Sequence, residues 1–123
     1  MITLPPGFDD RGDHLFATWL SSRGEVDVTV FKQTLCNDTH RLIANLKTGI
    51  DNWLASSLSY FDSAKDRYGL KHINDLADPS INVSDDGFSI FWTSKLGEPN
   101  GDVDIAIDYH SDDMAPYGLT IGD

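Results

Sequence analysis

A single cysteine, Cys36, is all the thiol chemistry in these 123 residues. It cannot close a disulfide within the chain, so a reducing compartment and a packing role beside a helix start are the expectations. Bases are scarce too, with 9 Lys and Arg against 20 Asp and Glu and a formal net charge of −11. Such a chain repels nucleic acid and anionic membrane and attracts basic surfaces. No apolar run approaches the roughly 18–20 residues of a membrane helix. The first residues also lack a basic stretch followed by an apolar one. A cytoplasmic protein without signal peptide or membrane span is expected.

Catalytic and ligand motifs are missing as well. There is no Gly-x-Ser-x-Gly, no glycine-rich phosphate loop and no CxxC, HxH or HxxxH spacing. Four histidines, His14, His40, His72 and His110, are scattered along the chain. Asp108 and His110 share one side of an expected strand, but zinc needs a third ligand and usually a fourth. Asp102-Val103-Asp104 does not continue as a calcium loop, which needs a glycine at its sixth position and a closing glutamate. Paired carboxylates could serve glycoside hydrolysis, yet a short chain with a flat face offers no cleft for it. No enzyme activity, cofactor or metal is expected.

What is present makes one globular domain spanning residues 1–123. An apolar fraction of 40% and a charged fraction of 24% are ordinary for a folded chain. A chain this long buries about two-thirds of its unfolded surface. Its organising stretch is Asp38 to Gly69, with Leu42, Ile43, Leu46, Ile50, Trp53, Leu54, Leu58, Phe61, Ala64 and Tyr68 in steps of three and four. That spacing predicts one long amphipathic helix, or two joined end to end, capped by Asn37 or Asp38 and closed at Gly69. Gly49 is its weak point, since glycine in a helix costs roughly 1 kcal/mol against alanine.

Strands flank this helix. His14 to Leu20 reads as a strand, with a short helix as the competing reading. In Glu25 to Gln33, Val26, Val28 and Val30 point one way. Ile81 and Val83, Phe88 to Thr93, Asp102 to His110 and a last stretch around Tyr117, Leu119 and Ile121 follow. Short loops favour antiparallel neighbours. The expected fold is therefore α+β: an antiparallel β-sheet of about five strands, order ββ-α-βββ, with one long helix packed on one face.

The other face of that sheet is the candidate site. Alternation places Asp27, Phe31, Phe91, Asp102, Asp104, Asp108 and His110 on it, with Asp112 and Asp113 in the following turn. Phe31 and Phe91 resemble the aromatic centre of a protein interface, and the carboxylates its charged rim. The acids are concentrated here, since residues 78–123 hold ten acids and a single base, Lys95.

A small, strongly acidic domain with strands on both sides of a helix and no catalytic motif is similar to the immunity proteins of bacterial polymorphic and contact-dependent toxin systems. The resemblance lies in size, charge and element order. It carries no motif, so no residue of that family maps onto this chain. It implies a non-catalytic inhibitor that binds a basic toxin domain and occludes its active site. The alternative is an acidic protein-interaction or oligomerisation domain with no toxin partner. Either would be a monomer or a weak dimer.

Overall fold

The computed structural model describes the backbone of residues 7–71, 73, 75–84, 87–98, 101–110 and 112–122, with side chains for these except 34, 95–98, 101, 102 and 122. Seven strands form one sheet: β1 Asp9–Asp10, β2 His14–Ser21, β3 Gly24–Phe31, β4 Ala77–Val83, β5 Gly87–Glu98, β6 Gly101–His110 and β7 Pro116–Gly122. Their order in space is their order in sequence. Helices α1, Asn37–Thr48, and α2, Ile50–Ala64, lie between β3 and β4.

This corrects the expected five-stranded antiparallel sheet in three ways. Two more strands take part, and β1 is a two-residue strand whose polar pair carries no alternation to read. The β3–β4 junction is parallel while all the others are antiparallel. A crossover through residues 32–76 carries the chain from the end of β3 back to the end of the sheet where β3 began, and a parallel pair needs such a long connection. Finally, of the two readings of the helical stretch, two helices joined end to end holds in place of the single long helix of that expected fold. Gly49 stands between them with φ −107° and ψ 28°. The hydrogen-bond ladder nevertheless continues through it, since its N–H donates to Asn45 O at 3.1 Å and its carbonyl accepts from Trp53 N at 2.9 Å. The break is a change of backbone angle at the residue that resists it least.

Alternation sorts every central strand into two faces. Leu15, Ala17 and Trp19 of β2 lie opposite Val30, Val28 and Val26 of β3. Ile81 lies opposite Ile90, Ile90 opposite Ile107, and Ile107 opposite Leu119. All are buried in one core with Leu42, Ile43, Leu46, Ile50, Leu54 and Phe61 from the helices. Both helices therefore cover the same face. Trp53 meets Phe88 and Tyr109 edge-on, and those two rings stack with centroids 4.6 Å apart.

Two serines fasten α2 to the sheet. Ser57, fully buried, accepts a 2.8 Å hydrogen bond from Trp92 Nε1 and donates to Leu54 O at 2.7 Å. Ser56 bonds the Tyr109 hydroxyl at 3.1 Å. Burial pushes the Tyr109 phenol above its ordinary pKa, and the bond to Ser56 offsets part of that rise. At the start of α2, the Asp51 carboxylate accepts the backbone N–H of Ser22 at 2.8 Å, tying the β2–β3 turn to the helix. Cys36 departs from its expected packing role. It is exposed at the N-cap of α1, where the Thr39 hydroxyl and the N–H groups of Thr39 and Asp38 draw its thiol pKa below the ordinary value.

Candidate functional site

The face away from the helices is built in rows by strand register. One row runs Thr18, Asp27, Ser80, Phe91, Ala106 and Thr120 from β2 to β7. The next runs Phe16, Thr29, Asn82, Ser89, Asp108 and Gly118. A third row, at the other side of the first, sets Thr93 beside Asp104 and Gly122. Side chains in a row sit about 5 Å from their cross-strand neighbours, close enough to bond.

They do bond, and by a consistent rule. Asp27, Asp104 and Asp108 each take a hydroxyl from a strand beside them. Thr18 Oγ1 donates to Asp27 at 3.3 Å and Thr93 Oγ1 to Asp104 at 3.2 Å. Asp108 accepts twice, from Ser89 Oγ at 2.6 Å and from Thr120 Oγ1 at 2.8 Å. Among the described residues the ion pairs involve other acids: Asp9, opposite Phe16 at the β1 end of the second row, and Asp10, Asp13, Asp38 and Asp62. Lys32 and the N–H of Gly12 pull the Asp10 carboxyl below its usual range, at the β1 edge and away from the rows.

The sequence-derived residues fall into separate groups. Asp104, Asp108 and Phe91 lie on neighbouring strands, with Phe91 directly opposite Ala106. Ala106 is almost fully buried on a face that no helix covers, as expected for a methyl beside an aromatic ring. Phe31 ends β3, paired with His14. It stands two strands and four residues away from Phe91, roughly 16 Å by strand spacing. The two phenylalanines therefore do not form a shared aromatic centre. Polar Thr29, Ser80, Asn82 and Ser89 stand in the rows between them. Alternation showed which face each would take but not the register that separates them.

His110 stacks its ring on Tyr117 at 4.0 Å between centroids. Asp112 and Asp113 are exposed in the β6–β7 turn, and Asp113 accepts the N–H of Ala115 at 3.1 Å. The backbone of Asp102 belongs to β6, but its side chain is outside the described residues, as is all of His72. Among the described residues no three His, Cys, Asp or Glu side chains gather as a metal site. No helix is long and apolar enough to cross a membrane.

Sequence reading missed one acidic depression. Arg23, Glu25, Asp27, Asp78, Pro79 and Ser80 line an open hollow of about 520 Å³ where β3 and β4 begin side by side. Asp78 is held there at φ 53°, beside a register shift in β4. The signal for it was the Asp78-Pro79 pair, which reads on its own as a helix stop. Compared with family models, curated proteins and solved structures, the chain matches none.

Proposed function

We propose that this chain is a non-catalytic acidic binding protein, an immunity protein that neutralises a basic toxin domain by covering its active site. The observation that carries the reading is the open face itself. Its carboxylates on β3 and β6 are oriented by neighbouring hydroxyls, and among the described residues none forms an ion pair within the chain. An internal ion pair would have to be broken before a partner's cation could bind. Hydroxyls fix the direction of a carboxylate and leave its charge uncompensated. Negative charge held in place on a flat face steers a basic partner and raises its association rate.

Stopped-flow binding to a basic toxin domain, across ionic strength, tests the reading. Asp104→Asn with Asp108→Asn should slow association and flatten its salt dependence. Phe91→Ala should speed dissociation, since truncating an interface anchor commonly costs about 2 kcal/mol or more. A thermal melt of each variant separates these effects from unfolding. Rates that survive all three substitutions would overturn this face as the interface.

A further inference from the structure

The two edges of the sheet are unlike. β1 is two acidic residues long, and Arg11 and Lys32 sit on its carboxylates. β7 is seven residues long without a charged side chain, and no described strand pairs with its outer side. Edges are ordinarily guarded by charge, brevity or proline; here only Pro116, at the first position, serves. Leu119 is buried, while Ile121 is 46% and Tyr117 54% exposed. A free edge of this kind can take an added strand through its unpaired backbone groups.

The row pattern says what that strand would carry. Two open-face acids of β6 stand opposite a glycine of β7, Asp108 opposite Gly118 and Asp104 opposite Gly122. Between them Thr120 lies opposite Ala106. A Cβ on Gly118 would come 3.9 Å from Asp108 Oδ2, so that oxygen, which also accepts the Thr120 hydroxyl, lies on the β7 side with no side chain from Gly118 over it. The β7 edge therefore has two glycine notches in register with β6 carboxylates, four residues or about 13 Å apart: Asp108 reaches towards the first, and Asp104, bonded to Thr93 on the β5 side, stands opposite the second.

We propose that β7 takes up an extended segment of a partner protein that carries arginine or lysine at two positions four residues apart, with apolar residues alternating between. The basic side chains lie over Gly118 and Gly122 and reach Asp108 and Asp104. The alternate residues pack on the helix side beside Leu119 and Ile121. Backbone pairing holds the segment, and the notches fix its register. This deepens the reading of an acidic docking surface and rests on it for the sign of the partner's charge.

The probe is the capped peptide Val-Arg-Val-Thr-Val-Arg-Val, with a control bearing glutamate for both arginines. Binding is measured by calorimetry, and amide hydrogen exchange locates it. The arginine peptide should bind and slow exchange in β7, and the glutamate peptide should not bind. Gly118→Val adds a strand-favouring side chain within ordinary contact distance and closes one notch. It should leave the melt intact and weaken the arginine peptide at least about tenfold, as for a lost hydrogen bond to a charge. Absent binding, protection on other strands, indifference to Gly118→Val, or a self-paired β7 dimer in sedimentation that the peptide does not displace would each overturn the proposal. A basic toxin that binds without protecting β7 defeats this inference and leaves the docking reading standing. Peptide protection of β7 without any toxin partner does the reverse.

Discussion

Ser57 shows how much one polar atom contributes inside an apolar core. Its hydroxyl is the acceptor for the buried Trp92 indole and also donates to Leu54 O within its own helix. Ser57→Ala removes that acceptor and strands the indole N–H, a loss of about 1–3 kcal/mol. Trp92→Phe on that background removes the orphaned donor, so the double variant should be less destabilised than the sum of the two single changes. Denaturant unfolding of the four proteins closes the cycle, and strict additivity would show that the bond contributes nothing. Ser56 and Ser57 were legible only as small residues that permit close approach. Their partners on β6 and β5 lie too far along the chain for local pattern to pair them.

Among the elements, the helix pair was the most legible. Apolar spacing marked Leu42, Ile43, Leu46, Ile50, Leu54 and Phe61 as core, and all are buried. Gly49→Ala would meet the Trp53 ring at 3.5 Å, an ordinary contact, from a backbone with negative φ. Alanine there should stabilise by about 0.4–1 kcal/mol and raise the melting midpoint by a few degrees. A lower midpoint would mean that the break itself requires glycine. The sheet was legible in its faces and illegible in its pairing. Val26, Val28 and Val30 announce an inward side, but nothing in them says that β3 runs parallel to β4. That direction is decided by where residues 32–76 deliver the chain. The same gap scattered the candidate site: Phe31 and Phe91 share a face by pattern and are parted by register.

For the whole molecule, the charge excess and the strand order have different consequences. Acids gathered on residues 78–123 make the β5–β7 side the electronegative one, which is where the glycine-backed carboxylates lie. The strand order bears instead on how the chain folds. Every antiparallel pair joins strands adjacent in sequence, so each closes a short loop at little entropic cost. The parallel β3–β4 pair alone must close residues 32–76. Contacts of long sequence separation form late when their loop entropy is spent before they return anything. The seam between β3 and β4 should therefore be the last part of the sheet to form. Ile81→Val at the seam and Ile107→Val within β5–β7 remove the same methylene for about 1 kcal/mol. In refolding kinetics Ile107→Val should slow folding, whereas Ile81→Val should chiefly quicken unfolding. Equal slowing of folding by both would place the crossover in the nucleus. The single parallel junction would then be the step that sets how long the newly made chain stays open.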